Sequence, residues 1–264
     1  MSIDLEEAER YSGEEYYRRP PRLNLPYLRM QGEKGSFILG EKDENTGEFS
    51  SVNIGDSAEG IVLRIRRRLS SFEDGIRSIE HNTPNDEIIL YQEGRAIDKG
   101  LSKDIKAKNP RLKTEHVVYF YYAGKVVKLI VRGGSLGSIE NPDDPKKFYN
   151  YLGSFKGAEH VWQYSTILHP KKEQNKKTKK VYYCIDFEKG QKLEEIELET
   201  VISEMKRLHE FFIGNDNFYR DNNKNPVIAK LDGKKDKVES LSEKEITQVS
   251  SEEEFPNNLP DLPF

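Results

Sequence analysis

Apolar and polar residues alternate in short runs through most of the chain, and the period lengthens decisively only after residue 194. A period of two marks strands whose side chains point to opposite faces, and a period near 3.6 marks a helix. On that basis residues 25–30, 36–39 and 49–54 read as strands, divided by glycine-containing turns at 32–35 and 45–47. The strand at 60–69 is the most informative. Strict alternation places Ile61, Leu63 and Ile65 on a core face, and Val62, Arg64, Arg66 and Arg68 on the other. Guanidiniums at every second residue lie about 6 to 7 Å apart, close to the phosphate spacing of an extended nucleic-acid strand.

Residues 70–115 carry a weaker pattern, with strands at 87–92 and 94–97 and, elsewhere, loop whose lysines and arginines are interspersed with acids. A clear hairpin follows, 116–122 and 125–132 about Ala123-Gly124. A two-residue turn pairs Phe120 with Val127 and Val118 with Leu129 on the core side. The opposite side then mixes rings with cations: Tyr119, Tyr121, Val126, Lys128, Ile130 and Arg132.

Asp144-Pro145 reads as the start of a short helix to about residue 152, with Asp144 as its cap. A second hairpin follows. Its first strand, 159–168, places His160, Trp162, Tyr164 and Thr166 on one face, and its second spans 181–187. The connection holds Lys171, Lys172, Lys176, Lys177, Lys179 and Lys180 against Glu173, and reads as a mobile basic finger. Leu198, Val201, Ile202, Met205, Leu208 and Phe212 then recur at helical spacing, ending before Gly214. Short strands, glycine turns and one amphipathic helix predict a mainly β (α+β) domain built as a barrel or sandwich.

Charge sharpens this picture. The net charge is −4, but residues 1–15 hold six acids against Arg10 and residues 240–264 six against Lys244, so residues 16–239 carry 34 acids against 40 bases. A basic body between acidic ends suits a polyanion binder. Cys184 is the one cysteine, which excludes an intramolecular disulfide and fits a reducing compartment. With no apolar run of about 20 residues and no signal-peptide pattern, a cytoplasmic protein without membrane attachment is expected.

Catalysis has no candidate residues. The chain lacks a phosphate-binding glycine loop, a Gly-x-Ser-x-Gly elbow and a His-Glu-x-x-His pair, and its five histidines are scattered. Neither a metal nor a cofactor is expected. What remains is a β-rich body with interleaved cations and aromatic rings, the combination that binds single strands without sequence preference. Arg64, Arg66, Arg68, Tyr119, Tyr121, Lys128, Arg132, Trp162, Tyr164 and the six finger lysines are the candidate contacts. The usual host is the oligonucleotide-binding (OB) barrel, here an elaborated one.

The chain ends in three glutamates, a short polar stretch and Leu259-Pro260-Asp261-Leu262-Pro263-Phe264. This ending closely resembles the acidic tail of bacterial single-stranded-DNA-binding proteins, which finishes in acids followed by Ile-Pro-Phe or Leu-Pro-Phe. It is more loosely similar to the acidic, Phe-terminated tails of some phage counterparts. The resemblance implies that Pro263 and Phe264 anchor in an apolar pocket of a partner enzyme, with Leu262 and Asp261 beside them. The expected organisation is an N-terminal acidic, tyrosine-rich arm (1–22), an OB-like DNA-binding domain (23–220), and a flexible linker with an acidic interaction tip (221–264). The expected function is to protect single-stranded DNA and recruit replication, recombination and repair enzymes, in a bacterial cell or a phage-infected host. An annealing or recombination mediator, an RNA binder, and a protein-interaction adaptor without nucleic acid are the alternatives.

Overall fold

The computed structural model describes residues 23–42, 46, 48–137, 144–175 and 178–222, with side chains described as far as residue 216. The N-terminal arm, Lys176, Lys177, most of the linker, and the tip residues Asp261, Leu262, Pro263 and Phe264 lie outside the described residues. The fold is mainly β: an open mixed sheet with a few helices. Its strands are β1 (Tyr27–Gln31), β2 (Ser36–Lys42), β3 (Phe49–Gly55), β4 (Ala58–Ser71), β5 (Ile76–Ser78), β6 (Glu87–Gln92), β7 (Arg95–Leu101), β8 (Lys113–Tyr122), β9 (Lys125–Val131), β10 (Tyr164–Gln174) and β11 (Val181–Lys192). Among the described residues three α-helices accompany them: α1 (Ser102–Lys108), α2 (Phe148–Gly153) and α3 (Glu195–Asn222).

The main path runs β3-β2-β1-β9-β8-β4-β5-β6-β7, antiparallel except where β1 lies parallel to β9. β4 organises the rest. Its body, from Ile61 to Ser70, pairs with β8, whereas Ala58–Gly60 pairs with β10, which in turn pairs with β11. Gly60 stands at this fork because a β-carbon there would collide with the Tyr121 carbonyl oxygen and the Phe120 ring.

The 116–131 hairpin forms in the expected register, Phe120 opposite Val127 and Val118 opposite Leu129. Its turn residues Ala123 and Gly124 both have positive φ, +48° and +79°, as a two-residue turn matching strand twist requires. Val118, Phe120, Val127, Leu129 and Val131 then meet Val62, Phe148, Tyr151, Leu168, Ile185 and Phe187 in the main core. A second cluster lies on the other side of β4, β8 and β9, where Val201, Leu208 and Phe212 of α3 cover Ile61, Leu63, Val117, Tyr119 and Val126.

Several expectations need correction. The faces of β4 do not follow simple alternation, because a bulge between Val62 and Arg64 inserts one residue. Ile61 and Leu63 therefore share the α3 side with Arg64 and Arg66, while Val62 and Ile65 enter the main core. Residues 70–115 are not mostly loop: β5, β6, β7 and α1 enclose a small core of Leu69, Ile88, Leu90, Ile105 and Leu112. α2 begins at Phe148, with Lys147 at its cap position, since the Asp144 carboxylate instead accepts from the Lys146 backbone N–H and Lys171.

The basic finger is also shorter than expected. β10 continues through Lys171, Lys172 and Gln174, because Asp144, Asp186, Lys147 and Tyr182 supply partners for its charged side chains. Trp162 lies in a 3-10 turn ahead of β10, stacked on His160 at 5.5 Å, so it does not alternate with Tyr164 and Thr166 along one strand. α3 also runs past Gly214 instead of ending before it. Among the described residues no helix is long and apolar enough to cross a membrane.

Candidate nucleic-acid interface

The face of β1, β9, β8 and β4 that points away from the main core collects cations and rings. Alternation along β8 sends Glu115, Val117, Tyr119 and Tyr121 outward, and along β9 it sends Val126, Lys128 and Ile130, with Arg132 continuing the row. The parallel register sets Tyr27 beside Lys128, so Arg29 follows on the same side of β1. From β4, past the bulge, come Arg64, Arg66 and Arg68, and from β5 comes Arg77. These cations share the face with the carboxylates Glu80, Glu115 and Asp216.

The carboxylates act as hubs. Glu115 accepts from Arg68 Nε at 2.7 Å and Arg132 Nη1 at 3.4 Å. Burial alone would raise its pKa, but Arg68 outweighs that and holds it below the usual carboxylate range. Glu80 accepts from the Tyr119 hydroxyl at 2.6 Å and stands 3.8 Å from Lys128 Nζ and 4.0 Å from Arg66 Nε. Burial, then Glu80, pushes the Tyr119 phenol up, so it stays protonated and donates. Burial lowers Arg77, and the neighbouring Arg68 lowers it further. Same-sign guanidiniums held this close favour an incoming anion.

The two halves of the face differ in access. On the open half, Tyr27 is 43 % exposed and Phe72 54 %, Arg132 lies over the Phe72 ring at 5.8 Å, and Arg29 is exposed. On the other half, α3 lies over the arginines. Phe212 meets Tyr119 edge-on at 4.9 Å, with the guanidiniums of Arg66 and Arg64 at 4.4 and 5.0 Å from its ring. Asp216 accepts from both terminal nitrogens of Arg66, at 2.8 and 3.2 Å, and Arg64 Nη1 lies 3.3 Å from His209 Nδ1. Arg66 is 1 % exposed. The arginine row therefore exists as one face, but each member already has a partner within the chain.

No family model matches the chain, and no curated protein or solved structure matches it either. The site therefore rests on its own geometry.

Of the expected contacts, Arg64, Arg66, Arg68, Tyr119, Tyr121, Lys128 and Arg132 come together. Trp162 packs into the same second cluster as Tyr119, near Ile202, Met205 and His209 of α3. Tyr164 sits apart, with Lys189 over its ring at 3.8 Å and its hydroxyl donating to Glu159. Lys171, Lys172, Lys179 and Lys180 lie at the β10–β11 end, where Lys171 contacts Asp144 at 3.0 Å. Sequence reasoning missed Tyr27, Arg29, Phe72 and Arg77. Alternation along β1 could have pointed to the first two; Phe72, in a turn, and Arg77, in a three-residue strand, carry no periodic signal.

A second charged cluster lies at the α2 end of the main core. Lys147 Nζ donates to Glu173 at 2.7 Å, Cys184 Sγ at 2.8 Å and Asp186 at 3.0 Å. Burial disfavours the ammonium, but these bonds outweigh it and raise its pKa. Glu173 is drawn down to about 2 by Lys147 and its other donors against the effect of burial, and burial pushes the Cys184 thiol up to about 11. A protonated, buried thiol is a weak nucleophile, so this cluster reads as a structural hub. Among the described residues no three His, Cys, Asp or Glu side chains gather to hold a metal ion.

Proposed function

We propose that this protein binds single-stranded DNA without sequence preference, along the outer face of β1, β9, β8 and β4, and recruits replication, recombination and repair enzymes through residues 261–264. The observation that carries the reading is the open half of that face: exposed rings of Tyr27 and Phe72 set among Arg29, Lys128, Arg68, Arg77 and Arg132. Cations neutralise phosphates while rings stack on bases, and neither demands a particular sequence.

Connectivity supports an elaborated OB barrel as the host. β4, β8, β9, β10 and β11, with α2 between the third and fourth, supply five strands and a helix. The long, bulged β4 serves both β8 and β10. On this reading β5 to α1 is an insertion between the first two strands, and β1 to β3 extend the sheet beside the third. OB barrels carry oligonucleotides on strands two and three and on the loops joining strands one to two and four to five. Those places correspond here to β8 and β9, the inserted β5 to α1 segment, and the β10–β11 turn with Lys179 and Lys180.

Filter binding of labelled single-stranded DNA, RNA and duplex at about 50 and about 200 mM salt tests the proposal. Tight single-strand binding that weakens steeply with salt is expected. Equal affinity for duplex, or no binding to any of the three, overturns it.

A further inference from the structure

We infer that Arg64, Arg66 and Tyr119 form a second nucleotide-binding stretch of the same face, filled in the free protein by the chain's own Phe212 and Asp216 in place of a base and a phosphate. The inference rests on the single-strand-binding reading and identifies a site that the open half alone does not contain.

Phe212 occupies the position a stacked base would take. Its ring receives two guanidiniums, at 4.4 and 5.0 Å, and the edge contact of Tyr119 at 4.9 Å, the contacts that arginine and tyrosine offer to any flat π system. Asp216 occupies the position of a phosphate. It takes both forks of Arg66 at 2.8 and 3.2 Å, a bidentate geometry that guanidinium offers equally to carboxylate and phosphate. An aromatic ring and an anion four residues apart on α3 thus present the two recognition elements of a nucleotide.

Packing alone explains this arrangement poorly. A helix that only completed a core would meet apolar side chains, as Val201 and Leu208 do against Ile61, Leu63, Val117 and Val126. Farther along, the same helix instead covers a fully buried arginine whose Nε has no hydrogen-bond partner. Burying a guanidinium this way is costly, and Asp216 offsets the cost together with the Glu80 carbonyl and carboxylate. A DNA phosphate serves that purpose as well as Asp216 does, so exchange leaves no charge stranded.

Beyond the buried Phe212, this end of the helix has few anchors. Val201 and Leu208 anchor its earlier turns, whereas Ile213 is half exposed, Asp216 is 38 % exposed, and Gly214 has no neighbour within 4 Å of where a β-carbon would be. Glycine in a helix interior weakens it locally. Lifting the turns from His209 onward would join Arg64, Arg66 and Tyr119 to Lys128, to which Glu80 already connects Arg66 and Tyr119. The result is one continuous track from the exposed to the covered half.

The test uses the full chain and a labelled oligothymidylate. Phe212→Ala and Asp216→Asn should each tighten binding, by roughly tenfold where the closed state dominates, even though both lower thermal stability. In wild type, hydrogen exchange at the amides of residues 209–216 should accelerate when the oligonucleotide is added, while residues 195–205 keep their protection. A core-packing role predicts the opposite sign: variants that bind no tighter, and exchange in 209–216 that is unchanged or slowed. That result overturns this inference and leaves the functional proposal standing. If wild type and both variants bind no oligonucleotide, the functional proposal fails and this inference falls with it.

Discussion

Arg66 and Asp216 stand 150 positions apart in the chain, yet both terminal nitrogens of the one donate to both carboxylate oxygens of the other. The same guanidinium donates to the Glu80 backbone carbonyl at 2.7 Å, tying α3 and the segment after β5 to the central strand. Replacing Arg66 by glutamate would set a third carboxylate beside Asp216 and Glu80 at a buried position. We expect a loss of about 3 to 5 kcal/mol, read from urea unfolding, because breaking a buried pair leaves uncompensated charge. An Arg66→Glu variant as stable as wild type would contradict this account of the α3 contact.

The exposed half of the face should respond differently. Arg29→Glu and Arg132→Gln change side chains that are largely in water, so thermal unfolding should move little, whereas single-strand affinity should fall and its dependence on salt become shallower. Tyr27→Ala and Phe72→Ala should each weaken binding by about 1 to 3 kcal/mol with a smaller change in salt slope, because stacking involves no counterions. Titrations at several salt concentrations separate the two classes.

Acid should destabilise the fold in two stages. Burial lowers the His116 imidazole from 6.5 to about 4. The unfolded chain therefore binds a proton over that interval that the folded protein refuses, so stability is full above pH 6.5 and declines as pH falls toward 4. Glu173 lies at about 2 against its ordinary 4.5, so its contribution is present above 4.5 and lost as pH falls through the folded value. In urea melts from pH 7 to pH 3, roughly, His116→Gln should flatten the upper part of the decline and Glu173→Gln the lower part. Identical profiles for both variants and wild type would show that neither group is linked to folding.

Deleting residues 259–264 should abolish capture of partner enzymes while leaving single-strand affinity within about twofold, since the proposed function assigns the phosphate and base contacts to the body. A large fall in DNA affinity would show that the two activities are not divided between body and tip. Pull-down with purified replication and recombination enzymes, beside the same binding titration, reads both.

Much of the β architecture was legible because strand patterning is local. The 116–131 hairpin could be registered residue by residue from alternation and its Ala-Gly turn, and Lys128, Arg132, Tyr119 and Tyr121 were placed on one side accordingly. The faces of β4 were misread for an equally local reason. The bulge adds a residue where Leu63 is apolar and suits either side, so the pattern carries no mark of it. β5 and α1 were not legible at all: three and seven residues are too few to show a period, and their structure depends on packing about Ile88, Leu90 and Ile105.

The sequence by itself determined which elements form along most of the chain, that cations and rings alternate on them, and that an apolar stripe recurs in the last helix, because each follows from the backbone period and neighbouring residues. Only the tertiary structure decided which of those cations remain accessible. α3 could have laid its stripe on any apolar strip of the sheet. It covers Ile61, Leu63, Val117 and Val126, and in doing so brings Phe212 and Asp216 onto the arginines of β4. Contacts between residues 150 positions apart depend on where two surfaces meet, and no local pattern in either segment encodes that meeting.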